Sequence, residues 1–339
     1  MHFGVNSVAN SSRDIQFNQT GLTSMISKSL RKLLFGIPTD ETLFSKRGFQ
    51  AVSPEVRMRL EQVAGMFVEG YHLALLTDQL DSLTQQLEQL PKEMRGFAYE
   101  GAAMALALLD FLSLRRRNRL QQFLVGAGST HIYMVHVGVG WAWARLYRNV
   151  NKALASLDPL LGWLAVDGYG FHEGYFRWPK MVTQQRVPWR LSGYARRVFD
   201  QGLGRGLWFI KGADVEVIAR TINEFSIARQ ADLWSGIGLA ATYAGGVDET
   251  ALQRLAELGH AFRPQLAQGA AFAAKTRQRA GNLAPHNEQA CQIFCASSAE
   301  VAAQVTDETL INLPYQETIP AYEIWRQRIQ THFHNQLNV

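Results

Sequence analysis

Val166-Asp167-Gly168-Tyr169-Gly170-Phe171-His172 is one copy of a phrase that the chain repeats seven times, and the spacing of the copies decides the fold. Upstream stand His136-Val137-Gly138-Val139-Gly140-Trp141-Ala142, Tyr99-Glu100-Gly101-Ala102-Ala103-Met104-Ala105 and Val68-Glu69-Gly70-Tyr71-His72-Leu73-Ala74. Downstream stand Asp200-Gln201-Gly202-Leu203-Gly204-Arg205-Gly206, Trp234-Ser235-Gly236-Ile237-Gly238-Leu239-Ala240 and Ala267-Gln268-Gly269-Ala270-Ala271-Phe272-Ala273. The first glycines are 31, 37, 30, 34, 34 and 33 residues apart. Self-similarity at such a period marks a repeat architecture. Glycine costs a helix about 1 kcal/mol against alanine. Seven costly residues at one phase therefore imply a geometric need, such as close approach of another backbone.

Amphipathic segments lie between the copies, at 81–92, 148–163, 214–225 and 248–261. Asp214 and Asp248 suit the starts of helices. Each unit reads as an outer amphipathic helix followed by an inner helix of small residues. The expected fold is all-α, an αα-hairpin repeat array of about seven units of roughly 33 residues, stacked as a curved solenoid or a closed αα-toroid. Residues 1–36 read as a polar and amphipathic leader, and 37–339 as a single αα-repeat domain. The phrases themselves are expected to begin the inner helices.

Composition narrows the function. Of the 339 residues, 47% are hydrophobic and 19% charged, which suits a buried core and excludes disorder. No apolar run is long enough for a transmembrane helix, and Met1 to Thr20 lacks the pattern of a signal peptide. The cysteines, Cys291 and Cys295, read as buried reduced thiols, and no metal is expected. The net charge of +5 includes a basic run at Arg115, Arg116, Arg117 and Arg119. Ser27-Lys28-Ser29-Leu30-Arg31-Lys32-Leu33-Leu34-Phe35 is a basic amphipathic stretch. Both read first as solvated helix faces, and the second also as a stretch able to touch an anionic membrane. The expected location is cytoplasmic, with a peripheral place at the membrane as the further expectation. No aromatic-interleaved basic motif points to nucleic acid.

Nucleotide loops, the nucleophile elbow, HExxH and the aspartate-rich motifs of terpene cyclases are missing. Asp78-Gln79-Leu80-Asp81 lacks the further carboxylates such a motif needs. Candidate residues come instead from the repeat's own columns. The place before the first glycine holds Glu69, Glu100, Val137, Asp167, Gln201, Ser235 and Gln268, read as helix caps or as a polar mouth to a cavity. His136 and Asp200 share the place before that. His172 replaces a small residue, and Arg205 interrupts one. Glu100, His136, Asp167, His172 and Asp200 are the candidates for proton transfer. Glu69, Trp141, Tyr169, Arg205, Trp234 and Gln268 are the candidates for substrate contact.

From Gly96-Phe97-Ala98-Tyr99-Glu100-Gly101 through Tyr133-Met134-Val135-His136 and Asp167-Gly168-Tyr169-Gly170-Phe171-His172-Glu173 to Ala267-Gln268-Gly269, the chain resembles a bacterial family of unknown domain function. Its members are called enediyne biosynthesis proteins. The resemblance covers about residues 34–325, and it takes in His136, Asp167, His172, Asp200, Arg205 and Asp232. It implies a place beside polyene-making polyketide synthases, near a membrane protein of the same pathway, and it supplies no assigned catalytic residues. The expectation is a protein of specialised metabolism that binds a long apolar polyene or isoprenoid in a helical cavity. It would catalyse acid–base isomerisation or cyclisation without a cofactor. The alternative is a non-catalytic polyene carrier or a scaffold for a membrane partner.

Overall fold

A computed structural model describes residues 28–113, 118–314 and 318–337. Arg115, Arg116, Arg117 and Ser27 lie outside them. Among the described residues the chain is all-α, with seventeen α-helices and no strand. Seven long helices carry the glycine phrases: α3 (Pro54–Leu76), α5 (Arg95–Leu112), α7 (Ile132–Arg145), α9 (Trp163–Trp178), α10 (Ala195–Ile210), α12 (Ile227–Ala244) and α14 (Arg263–Arg279). Each packs on the next. Shorter helices connect them: α4 (Leu80–Glu88), α6 (Arg119–Val125), α8 (Val150–Leu154), α11 (Val215–Asn223) and α13 (Glu249–Leu258). Before the phrases stand α1 (Lys28–Phe35) and α2 (Phe44–Arg47), and after them α15 (Pro285–Cys295), α16 (Ala299–Glu308) and α17 (Ala321–Leu337). No helix among the described residues is long and apolar enough to cross a membrane.

Three of the connecting helices, α8, α11 and α13, start where the N-cap side chain accepts from a free N–H. Asp214 accepts from Val217 N at 3.1 Å and Asp248 from Ala251 N at 2.9 Å. α11 buries Val215, Ile218, Ala219 and Ile222 and exposes Glu216 and Arg220, an amphipathic stripe of 3.6-residue period. Cys291 and Cys295 are buried and unlinked.

The glycines are where neighbouring backbones meet. A Cβ on Gly138, Gly168, Gly202, Gly236 or Gly269 would lie 1.8–2.0 Å from a carbonyl oxygen of the preceding long helix, that of Glu100, Val137, Asp167, Gln201 or Ser235. A Cβ on Gly140, Gly170, Gly204 or Gly238 would lie 1.9–2.2 Å from a carbonyl of the following one. Gly70 makes the second kind of contact, with Ala98 O, while Gly101 meets Phe67 O. The first copy is thus offset by two places from the sequence alignment. Val68 holds the first-glycine place, and Phe67, not Glu69, the polar place before it.

A second difference concerns helix starts. The long helices begin at Pro54, Arg95, Ile132, Trp163, Ala195, Ile227 and Arg263, several residues before the phrases. Glu100, Asp167, Gln201, Ser235 and Gln268 are therefore mid-helix and buried, and they cap nothing. The close glycine contacts demand helix on both sides of them, which moves the starts upstream.

Hydrogen bonds also link helices far apart in the chain. Arg59 Nε donates to Ala244 O at 3.0 Å, and Asn282 Nδ2 to Lys92 O at 3.1 Å. The Arg277 guanidinium donates to Tyr243 O at 2.6 Å and to Glu93 O. All but the bond to Tyr243 join the beginnings of α3 and α5 to the ends of α12 and α14. On another side α17 is fixed by buried charges. Arg326 donates to Asp232 at 2.8 Å, Glu323 at 3.2 Å and Gln268 at 3.2 Å, and Arg197 donates to Asp232 at 3.0 Å and Glu323 at 2.6 Å. α1 rests on α3, with Arg31 on Asp78 at 2.7 Å and Tyr71 OH donating to Phe35 O at 2.7 Å.

Candidate functional site

The long helices border a slot lined by Val63, Phe67, Phe97, Trp141, Phe171, Tyr175, Phe209 and Leu239, with Glu100, Arg205 and Tyr243 as polar members contributed by these helices and Glu41 and Thr42 at its rim. The cavity volume of the slot is about 50 Å³, so it is narrow. Arg205, Leu239 and Tyr243 also line a smaller pocket with Met134, Val137, Phe272 and Trp325, so they form a constriction between two apolar spaces. Ile37, Glu41 and Phe176 border both the slot and an outer vestibule, which Gly36, Pro38, Arg47, Met104, Arg145 and His172 complete.

The inward face follows from helix geometry. Counted from each unit's first-glycine place, lining side chains stand four and one residues before it and three and seven after it. Phe97, Glu100 and Met104 on α5, and Met134, Val137, Trp141 and Arg145 on α7, follow this pattern. Such spacings share one side of a 3.6-residue helix.

Glu100 sits in this face, 1% exposed, and its Oε1 is enclosed without a hydrogen-bond partner. The indole of Trp141 adjoins it but misses hydrogen-bond geometry, leaving Nε1 unbonded as well. Burial pushes the Glu100 carboxyl up to about 7; the Arg205 cation opposes that rise and the Asp167 charge adds to it. Arg205 and Asp167 form a fully buried ion pair, and Gln201 Nε2 donates to the other Asp167 oxygen at 2.7 Å and to Tyr322 OH at 3.1 Å. The Arg205 guanidinium lies 4.9 Å from the centre of the Phe171 ring. Tyr243 OH is buried and unbonded in the space left by Gly96, whose Cβ would lie 1.9 Å from it.

The other candidates are placed differently. His136 is buried, bonds through Nδ1 to Ile132 O at 2.8 Å in its own helix, and borders none of these spaces; burial lowers its pKa. Asp200 is held by both nitrogens of an Arg229 fork, with Nε at 2.8 Å, and burial still lifts it to about 6. Both stand two residues before the first glycine, about 100° around the helix from Glu100 and Asp167. His172 faces the vestibule, 3.3 Å from Glu173 and 5.5 Å from the Trp141 ring, and burial lowers its pKa. Tyr169 packs near Phe199, and Trp234 lies under Gly259. Gln268 accepts from Ser235 at 2.8 Å within the α17 network, and Glu69 is exposed on α3. The slot thus gathers Glu100, Trp141 and Arg205, with Asp167 behind Arg205. The sequence pointed to a lining of Trp, Tyr and Phe without singling out Tyr243 or the individual phenylalanines, although the inward columns were there to be counted once the first copy was in register.

The Glu100 proton has a measurable consequence. Its unfolded value is 4.5 and its folded value about 7. Stability from this group is therefore fully present below pH 4.5 and lost as pH rises to about 7. Glu100→Gln should remove that slope, changing the wild-type-to-variant difference by on the order of 3 kcal/mol between the two ends of the window. Asp200, raised in the same direction, contributes equally to both proteins and cancels. Urea melts across pH measure the difference. Parallel profiles for the two proteins would show that Glu100 titrates normally.

Among the described residues no group of three or more His, Cys, Asp or Glu is placed to hold a metal ion. No curated protein and no solved structure matches the chain. The family described as a protein of unknown function, DUF1702, matches residues 26–333, and the chain belongs to that family.

Proposed function

We propose that the seven glycine-bearing units form a curved αα-repeat array, drawn into a ring by the bonds between α3–α5 and α12–α14, and that its slot holds a long apolar polyene or isoprenoid. The proposed setting is specialised metabolism of the enediyne or polyene kind, in the cytoplasm beside a membrane partner of the same pathway. The proposed chemistry is cofactor-free isomerisation or cyclisation with Glu100 as the acid. The observation that carries it is a buried carboxyl with an unbonded Oε1 and its pKa near 7, facing an aromatic slot.

In this scheme the neutral Glu100 gives its proton to one alkene carbon. The carbocation spreads along the polyene, and the faces of Trp141, Phe171 and Phe97 stabilise it. The Glu100 carboxylate then takes a proton from a neighbouring carbon, so a double bond moves and the acid is restored. Arg205, neutralised by Asp167, holds the slot's polar wall in place. His136 is bonded to Ile132 O and Asp200 to Arg229, both away from the slot, and this favours the second reading, a carrier without catalysis.

Mass spectrometry of apolar molecules that co-purify with the full chain tests the slot, and cis-parinaric acid fluorescence tests it independently. Ala64→Trp, at the slot wall, should weaken parinaric acid binding at least about tenfold. Glu100→Gln should leave binding within a few-fold and slow isomerisation of the co-purified polyene by about 10²–10⁴. Unchanged turnover in the folded variant would leave the carrier reading.

A further inference from the structure

Exposed apolar side chains and arginines gather around the vestibule end of the molecule. On α1, Leu33 is 80% and Leu34 56% exposed, after the exposed Lys28 and Lys32 of the same helix. The end of α1 joins the end of α7 through Phe35 O, Tyr71 OH and Arg145 Nη1, at 2.7 and 3.1 Å. Past Arg145 stands Tyr147, exposed, with the Arg177 and Arg190 guanidinium carbons 5.2 and 5.5 Å from its ring centre. Arg190 also lies 5.0 Å over Trp189, which is 82% exposed, and Arg148 lies 4.9 Å over the exposed Phe111. Acids nearby are paired with cations: Asp78 with Arg31 at 2.7 Å, Glu173 with Arg177 at 3.2 Å, Glu41 with Arg47 at 2.6 Å and Asp40 with Lys46 at 3.2 Å, while Glu69 is exposed.

This combination has a specific physical match. Aliphatic side chains favour the acyl region of a bilayer, aromatic rings favour the headgroup level, and cations on long stems favour anionic headgroups. A water-facing surface gains nothing from exposing Leu33, Leu34 and Trp189 together. The vestibule formed by Gly36, Ile37, Pro38 and Met104 begins where α1 ends, and it borders the slot. An apolar chain leaving a membrane at this face would pass from lipid to vestibule to slot without crossing bulk water.

We propose that this face docks on an anionic lipid bilayer and that the slot takes its apolar ligand from the membrane through the vestibule. The second half rests on the apolar-chain reading of the slot; docking stands by itself.

The test uses the full chain with phosphatidylcholine vesicles, with and without phosphatidylglycerol, in a co-sedimentation assay. Binding should be at least about tenfold tighter to the anionic vesicles and should fall with salt. The double variant Leu33→Asp/Leu34→Asp, and separately Trp189→Ala, should each weaken it several-fold while circular dichroism and Tm stay unchanged. No binding, equal binding to both vesicle types, or binding untouched in folded variants overturns docking. A lipid-free dimer that the double variant dissociates would assign the face to a second copy of the chain, and also overturns it. For the route, cis-parinaric acid is delivered either from ethanol or from the vesicles. The double variant should match wild type in the first case and load several-fold more slowly in the second; equal loading overturns the route. If wild type fails to bind the ethanol-delivered probe, the slot reading fails, while the vesicle assay still judges docking.

Discussion

Gly202→Ala should cost the protein at least about 3 kcal/mol or prevent it from folding. The added Cβ would stand 1.8 Å from Asp167 O and 2.9 Å from Phe171 N, both backbone atoms of α9. No rotamer change relieves that overlap, so α9 and α10 must separate. The separation would loosen the Arg205–Asp167 pair, which spans the same interface. Alanine's better helix propensity returns only about 1 kcal/mol. Gly65 gives the matched control. It lies in α3 with nothing within 4 Å of a built Cβ. Gly65→Ala should therefore stabilise the chain by about 0.5–1 kcal/mol. Chemical denaturation of both variants reads the contrast. A mild effect at Gly202 would show that the helices have slack there.

Arg205→Met should cost about 3–5 kcal/mol, because it leaves the Asp167 carboxylate buried with only Gln201 to bond it. Asp167→Leu should be comparably harmful through the stranded guanidinium. The double variant should recover most of the loss, since two apolar side chains in one buried space need no partner. The double-mutant cycle measures this coupling. Additive losses would mean that each residue is held by contacts other than its partner. Burial works against the Arg205 charge, and the Asp167 and Glu100 carboxylates hold its pKa above the ordinary value even so.

The helical class was readable because small residues recur with near-constant spacing. What the spacing could not convey was direction. A phrase of seven residues covers two helical turns, so every side of the helix is represented in it. Glu100, Asp167, Trp141 and Arg205 were selected from columns one before and three after the glycine, which point inward. His136, Asp200 and Trp234 came from the column two before, which faces packed neighbours instead. The offset of the first copy put Glu69 in the polar column, whereas Phe67 occupies that place and Glu69 is exposed. Gly70 looked like its counterparts because both glycine places answer to a carbonyl; only the identity of the carbonyl tells them apart. Tyr243 escaped notice because it lies beyond the phrase, seven residues after Gly236, where nothing in the local sequence marks it.

The bonds that join the beginning of the helix row to its end connect residues 184 to 190 positions apart. Packing between successive long helices needs only short excursions of the chain, so those pairs can assemble early and propagate. The distant clasp closes the longest loop, and contacts of that separation form late. Until those bonds form, the apolar side chains that line the slot stay exposed to aggregation and to other apolar surfaces, so the slowest phase of refolding is also the one in which the chain is most vulnerable.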